Sequence, residues 1–172
     1  ILGVELSVVD DDDTEVAHDG IARGEVRARS NHVMDGYWNA PAATAEVLRD
    51  GWLHTGDVAT VDADGYLTIV DRSKDVIISG GENISSVEVE KALTAHPAVL
   101  EAAVVGVPDD RWGEVPKAFV VLRAGREASP DELRDFVRGR LAHFKSPREV
   151  EVCADLPKSG TGKVRKDHLR RH

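Results

Sequence analysis

Two groups of residues in this chain combine charged side chains with glycine in a way that favours nucleotide binding. The sequence TGD, which ends at Asp57, and Arg72 supply an acidic and a basic side chain near the ends of strand-like segments. A carboxylate in that setting can accept hydrogen bonds from both hydroxyls of a ribose. Residues 157–163 form a loop with two glycines that ends in Lys163, and such a cation can reach a phosphate or a carboxylate. Together the two groups predict nucleotide chemistry.

The C-terminal loop is not a Walker loop. That loop has a glycine six residues before its lysine and a serine or threonine directly after it, where the hydroxyl binds magnesium. Pro157 and Val164 occupy these two positions here. Gly160 and Gly162 therefore indicate a mobile loop around Lys163.

Three motifs, in this order, resemble the C-terminal third of the adenylate-forming superfamily, which comprises acyl-CoA synthetases, adenylation domains of peptide synthetases and luciferases. They are TGD at 55–57, DRSKD followed by VIISGGENISSVEVE at 71–90, and LPKSGTGKVRK at 156–166. The resemblance extends from about residue 24 to the end of the chain.

The resemblance assigns roles in adenylation to four positions. In the family, the residues that match Asp57 and Arg72 hold the ribose of ATP, and the lysine that matches Lys163 bridges the substrate carboxylate and the phosphate. The position of Lys74 matches the family's hinge, where a charged, unbranched side chain can stay in solvent while the backbone torsions change. Without the resemblance, Asp57 would be interpreted as a loop cap and Lys74 as an ordinary surface lysine.

The resemblance also predicts a CoA site. The loop around Gly80 lacks bulky side chains, which permits a close backbone approach to a ligand, and in the family this loop lines the pantetheine tunnel. Aromatic and basic residues that suit an adenine with phosphates follow later in the chain. The predicted CoA residues are Ser79, Gly80, Gly81, Trp112, Phe144, Lys145 and Arg148. Ser146 stands where the family often has a basic residue. The alternative is that Trp112 and Phe144 are core residues.

The family's reaction has two steps. A carboxylic acid and ATP give an acyl-adenylate and pyrophosphate, and CoA then displaces AMP to give a thioester. We therefore expect ATP and CoA as substrates together with a carboxylic acid of the fatty acid type. Mg²⁺ is expected for the full enzyme, with its ligand outside this segment. Two alternatives stay open, namely an adenylation domain that loads a carrier protein, and a non-catalytic module that docks as a lid on a partner.

Strands and helices must position these residues, and the pattern predicts an α+β fold. Residues 1–70 are rich in alternating strands, including a hairpin around residues 62–65, and would be the end of the large adenylation domain. Residues 71–75 would be a hinge. Residues 76–172 would form a small α+β lid domain with a three-stranded sheet (98–107, 117–122, 150–152) flanked by helices that begin after Ser85 and Ser129.

Composition narrows the class of protein. The chain has 172 residues and a formal net charge of −9, but residues 111–172 hold 15 basic against 9 acidic side chains. Such a basic region suits polyanions such as ATP and CoA, whereas nucleic acid is disfavoured because few aromatics accompany the basic residues.

Cys153 is the single cysteine of the sequence, and we expect a structural thiol. No apolar run is long enough to span a membrane, so a cytoplasmic location is expected. The start at Ile1 suggests a fragment that lacks its large N-terminal domain and is inactive alone.

Overall fold

The computed structural model describes residues 3–171 and divides them into two compact units. The first unit ends at Lys74 and the second begins at Asp75. Each unit combines strands with helices, so the predicted α+β class is confirmed. No helix among residues 3–171 is both long enough and apolar enough to cross a membrane.

The first unit is a five-stranded antiparallel sheet with one short helix. The strand order is β1-β2-β4-β3, and β5 pairs with β4 on a branch of this path. The predicted hairpin around residues 62–65 is confirmed, because Val61 pairs with Leu67 and the Asp62 carboxylate accepts from the amides of Asp64 and Tyr66. The elements are β1 (Glu5–Val9), β2 (Arg23–Arg29), α1 (Pro41–Val47), β3 (Leu48–Arg49), β4 (Trp52–Val61) and β5 (Leu67–Arg72).

The core of the first unit is made of small branched side chains that alternate along the strands, as in a sheet with one buried face. Val8, Val26, Ala59 and Val61 are buried together. Gly24 lies opposite Ala59, and a Cβ at this glycine would lie 2.3 Å from the carbonyl oxygen of the neighbouring β1 strand. The absence of a side chain at Gly24 therefore permits the close approach of the first two strands.

The second unit is a mixed sheet with helices. A short 3-10 turn (Ser73–Asp75) leads into it, and its strand order is β10-β9-β6-β7, with β8 pairing β9. The β9 and β10 strands are parallel, and the other pairs are antiparallel. The elements are β6 (Ile77–Ser79), β7 (Glu82–Ile84), α2 (Ser86–Thr94), β8 (Val99–Asp109), β9 (Gly113–Leu122), α3 (Pro130–Arg138), β10 (Glu149–Val152) and α4 (Lys166–Leu169).

The expectation of a three-stranded sheet in this unit was wrong, because the sheet has five strands. The three predicted strands are present as β8, β9 and β10. The two additional strands, β6 and β7, flank Gly80 and Gly81, which both have positive φ, +60° and +87°. Two consecutive residues with positive φ make the tight turn that suits the twist of a hairpin. The segment expected to be a loop is therefore a short hairpin attached to β9.

The two long helices of the second unit begin where the sequence predicts. Ser85 and Ser129 cap them, each hydroxyl accepting from the amide three residues later. Val89, Leu93, Leu133 and Val137 are fully buried against one set of strand residues. The alternate strand residues pack against Leu156 and Leu169 in a second cluster. Because successive side chains of a strand point to opposite faces, both faces of this sheet are covered.

Candidate functional site

Asp57 and Arg72 are brought together by the pairing of β4 with β5. They are opposite each other in the register of the two strands, and Arg72 Nε donates to Asp57 Oδ1 at 2.9 Å. Both side chains are partly exposed, at 34% for Asp57 and 55% for Arg72. An acidic and a basic group therefore stand side by side at the surface, where the carboxylate has further lone pairs that can accept hydrogen bonds.

Glu25 holds the turn that carries Asp57, a role that the sequence did not reveal. Its Oε1 accepts from the Gly56 amide at 3.0 Å, and its Oε2 lies 2.8 Å from Nδ1 of the buried His54. Thr55 Oγ1 donates to the Val26 carbonyl at 2.7 Å. These bonds fix the backbone at Gly56, which has a φ of +72°. Only the cross-strand register places Glu25 here, so no local motif could have identified it.

A cavity of about 440 Å³ adjoins this turn. Lys74, the predicted hinge residue, is exposed in the 3-10 turn at its border. Asp75, the next residue, is buried and accepts a 2.5 Å hydrogen bond from Arg170. Tyr37, which the sequence did not single out, is half exposed at the same cavity. The cavity is lined by Glu25, Tyr37, Thr55, Gly56, Arg72, Ser73 and Lys74.

Trp112 packs directly on Gly80. The Gly80 amide donates to the Trp112 carbonyl at 2.9 Å, and a Cβ at Gly80 would lie 2.7 Å from Trp112 Cε3. Apart from its chain neighbours, no residue in the described part of the chain comes within 4 Å of a Cβ built at Gly81. The two glycines thus serve different purposes, since both allow the turn but only Gly80 makes room for the indole.

A cavity of about 640 Å³ in the second unit contains five of the predicted CoA residues, namely Ser79, Gly80, Trp112, Phe144 and Arg148. Trp112 is 39% exposed and Phe144 is 46% exposed. The alternative that these two aromatics belong to the core is therefore wrong. Gly81 does not line the cavity. Ser146, noted above for its lack of charge, also lines the cavity. The other lining residues of the cavity, which the sequence did not single out, are Glu82, Val115, Pro116, Arg134, Arg138, His143 and Pro147.

The structure places Lys145 in an ion pair instead of in this cavity. Its Nζ donates to both carboxylate oxygens of Glu88 at 2.7 Å, and the two side chains are 19% and 33% exposed. Glu88 lies in the first turn of α2, where a carboxylate is favoured by the helix dipole. This ion pair ties α2 to the turn at His143–Lys145, and the assignment of Lys145 to CoA stays a prediction.

Lys163 stands at the end of a tight turn. The Ser159 amide donates to the Lys163 carbonyl at 2.8 Å, the Gly162 amide donates to Ser159, and Lys158 pairs with Val164 as an isolated bridge. Lys163 is exposed, and within residues 3–171 its amino group makes no ion pair with a carboxylate. A lysine held in this way presents an uncompensated positive charge to solvent.

Both ends of this turn are fixed by other lysines. Lys158 Nζ lies 2.9 Å from Glu101 on β8 and 3.3 Å from Asp155. The hydrogen bond to Glu101, and then the one to Asp155, raise the pKa of Lys158 above its ordinary value. Beyond the turn, Lys166 Nζ lies 2.7 Å from both Glu90 Oε1 and Ser86 Oγ. Lys163 therefore differs from Lys158 and Lys166, whose ammonium groups form ion pairs within the second unit.

Glu90 also covers the outer edge of the second sheet. Its Oε1 accepts from the Val104 amide at 2.8 Å, and among residues 3–171 β8 pairs with a strand on one side only. An unpaired strand edge is prone to pair with another chain unless side chains block it. The Glu90 carboxylate, with Lys166 against it, blocks this edge.

Cys153 is partly buried, and its thiol lies 3.6 Å from the Val120 carbonyl. Burial first, and then the negative charges of Glu151 and Asp155, raise the pKa of this thiol.

We expect alkylation of Cys153 by iodoacetamide to be slower in the folded chain than in the urea-unfolded chain at neutral pH, because the thiolate is the nucleophile. The rate in the folded chain should still rise with pH after that of the unfolded chain has levelled off. Mass spectrometry across a pH series measures this, and equal rates in both states would contradict it.

Known proteins resemble the chain over nearly its whole length. The sequence model of one protein family, the AMP-binding enzyme C-terminal domain, matches residues 88–163. A feruloyl-CoA synthase of Amycolatopsis sp is 56% identical over 149 residues, which is 87% of this chain and 30% of that protein. A probable CoA ligase, CCL11, of Humulus lupulus is 51% identical over 97% of this chain and 30% of its own length. The chain thus spans about a third of the relatives it matches.

Solved structures show the same fold. ATP-bound MatB from Rhodopseudomonas palustris superposes with a TM-score of 0.91 and 36% identity, over 99% of this chain and 34% of MatB. The amide bond synthetase McbA from Marinactinospora thermotolerans gives a TM-score of 0.89 at 44% identity, over 99% of this chain and 35% of McbA.

Proposed function

Since the chain belongs to the adenylate-forming superfamily of acyl-CoA synthetases and corresponds to a C-terminal portion of such proteins, we propose that it serves an AMP-forming acid–CoA ligase. The observation that carries the proposal is the exposed, uncompensated Lys163 on a turn whose neighbouring lysines are all paired. The remainder of the enzyme, including a large N-terminal domain, would be supplied by a longer protein.

In the first step, a carboxylate oxygen of the acid attacks the α-phosphorus of ATP, and pyrophosphate leaves with its electron pair. Asp57 and Arg72 hold the ribose, so that the phosphates have a fixed position. Lys163 contacts the carboxylate and the phosphate while negative charge moves between them. A correctly placed cation of this kind acts mainly by electrostatic stabilisation of the transition state.

In the second step, the sulfur of CoA attacks the carbonyl carbon of the acyl-adenylate, and AMP leaves. The hairpin at Ser79–Gly80 and the indole of Trp112 would guide the pantetheine arm and its nucleotide, with Phe144 and Arg148 at the same cavity. Gly81 would act through the turn that it shares with Gly80, because it does not line the cavity. Lys74, exposed at the junction between the units, would be the hinge that lets Lys163 leave before this step.

The identity of the acid is a separate question, and the expectation of a fatty acid is not supported. The relatives' names refer to feruloyl, cinnamate, butyrate and 3-methylmercaptopropionyl groups. The common element is a carboxylic acid, which is the substrate class we propose. Within residues 3–171 no group of three or more His, Cys, Asp or Glu side chains is placed to hold a metal ion. That the ligand of Mg²⁺ lies outside this segment stays a prediction from the sequence. A cytoplasmic location stays a prediction from the sequence.

The experiment that tests this function compares acceptors in the longer protein. We expect acid-dependent release of pyrophosphate from ATP, followed by a thioester with free CoA. A thioester formed only with a phosphopantetheinyl carrier protein would replace the ligase by an adenylation domain, and an amide formed only with an amine would indicate chemistry of the McbA type. Release of no pyrophosphate with any of a panel of aromatic and aliphatic acids would favour the non-catalytic module.

The chain alone should bind ATP weakly, with a Kd in the millimolar range or above. Two charge-assisted hydrogen bonds from Asp57 and Arg72 are each worth about 1.5–3 kcal/mol, and association costs at least about 4 kcal/mol. NMR titration should shift the amides near Gly56. Asp57→Asn should remove these shifts, whereas Asp64→Asn, in the hairpin turn, should leave them unchanged. A micromolar Kd would contradict this estimate.

A further inference from the structure

The cavity of about 640 Å³ in the second unit has a second basic wall that the family resemblance does not assign. Arg134 and Arg138 line it from α3. They are four residues apart and so lie on one face of the helix, while Leu133 and Val137 point into the core. The two arginines therefore lie together on the exposed face of α3.

The present partners of these arginines are weak competitors for a ligand. Arg134 Nη2 donates to Asp131 at 2.6 Å, and Arg138 Nη1 lies 3.4 Å from Asp135. Both carboxylates are more than two-thirds exposed, at 78% and 71%, and ion pairs so exposed contribute little. Arg134 Nε is buried and has no hydrogen-bond partner among residues 3–171. A buried donor without a partner is costly, so a small movement of this guanidinium towards an anion would be favourable.

Arg148 provides a separate cationic position at the same cavity. It lies just before β10, on a different element from α3, and within residues 3–171 its side chain makes no ion pair. Glu82 is the one carboxylate among the lining residues, against three arginines. Two exposed aromatic side chains, Trp112 and Phe144, line the same cavity. The arrangement suits a base with anionic groups at two positions, because guanidinium groups bind phosphate with two parallel hydrogen bonds.

We propose that Arg134 and Arg138 bind the phosphate on the 3′-hydroxyl of the CoA ribose, and that Arg148 faces the 5′-diphosphate. The inference rests on the proposed function, because it requires that this cavity receives CoA. It adds a specificity, since the pocket would prefer nucleotides with a 3′-phosphate over those without one. It also gives a physical reason why Ser146 can be a buried, uncharged residue where relatives of the family often have a basic one: the charge comes from α3.

The test uses the chain itself and two nucleotides, adenosine 3′,5′-bisphosphate and AMP, which differ by the 3′-phosphate alone. We expect NMR titration, followed at the indole N–H of Trp112, to give about fivefold tighter binding of the bisphosphate. Arg134→Ala and Arg138→Ala should each reduce the ratio of the two affinities towards one without weakening the binding of AMP. Arg134→Lys should retain part of the preference, because it keeps the charge and loses the planar fork.

Arg126→Ala is the matched control, since it removes one positive charge from an exposed loop outside the cavity. It should leave the ratio unchanged. If AMP and the bisphosphate both shift Trp112 with equal affinity in the unaltered chain, the 3′-phosphate site is overturned while the nucleotide pocket survives. If neither nucleotide shifts Trp112, the inference and the CoA role of the cavity both fail. Circular dichroism confirms that each variant is folded.

Discussion

Replacement of Lys163 by alanine should lower the rate of acyl-adenylate formation in the longer protein by about 10²–10³-fold, the loss typical of one preorganised charge-stabilising group, or about 2.7–4 kcal/mol. The exposed amino group makes no ion pair with a carboxylate among residues 3–171, so its removal should not disturb the fold. The measurement is acid-dependent pyrophosphate release under single-turnover conditions. Thioester formation from chemically prepared acyl-adenylate should be nearly unaffected, because we propose that the lysine acts in the first step only.

Lys91→Ala provides the control for this variant. Lys91 is an exposed lysine on α2 of the same unit, outside the 157–163 turn. Its replacement changes the net charge equally and should leave both steps unchanged. Equal rates of pyrophosphate release in Lys163→Ala and the unaltered enzyme would remove the assigned role of Lys163. An equal loss in both steps would instead indicate damage to the unit as a whole.

Gly80→Ala should selectively impair the second step, by about tenfold in kcat/KM for CoA. A Cβ at this position would lie 2.7 Å from Trp112 Cε3 and 3.1 Å from Cζ3, so the indole must move. Overpacking of this kind costs roughly 1–3 kcal/mol, and here the group displaced is one that we propose contacts CoA. Formation of the acyl-adenylate should continue at the normal rate.

Gly81→Ala separates the steric clash from the strain of the turn. Both glycines have positive φ, so alanine is strained at either position. Of the two, Gly80 faces Trp112, whereas a Cβ at Gly81 would have no atom of residues 3–171 within 4 Å except those of its chain neighbours. The loss in kcat/KM for CoA should therefore be greater in Gly80→Ala than in Gly81→Ala. Equal losses would show that the turn, and not the packing of the indole, matters for CoA.

The sequence predicted those elements whose ends and pattern depend on residues close together in the chain. Serine caps before α2 and α3, the alternating valines of β8 and β9, and the Asp62 turn all depend on residues within one or two turns of chain, so sequence reasoning placed them. The glycine hairpin was missed because strands of three residues carry too short a pattern. Its pairing with β9 is a single residue pair, Ser79 with Gly113, more than 30 residues apart.

The candidate site likewise contains residues that motifs predict and residues that only tertiary contacts bring there. Asp57 and Arg72 could be paired from motifs that flank one hairpin. Glu25, which holds the Gly56 amide, comes from a strand 31 residues earlier and belongs to no motif. Lys145 was assigned to CoA from the family resemblance and its residue type, and its contact with Glu88, 57 residues away in the chain, belongs to no local pattern. Residue type predicts what a side chain can bind, whereas tertiary contacts decide which partner it meets.

The carboxylate of Glu90 on the margin of β8 has a practical consequence for work on Lys163. Lys166, three residues after the proposed catalytic Lys163, pairs with the Glu90 carboxylate that covers this margin. A substitution at Lys166 is expected to reduce the yield of monomeric protein while Lys163 stays intact. Apparent losses of turnover from changes in this segment should therefore be normalised to the monomer concentration, measured by light scattering, before they are attributed to catalysis.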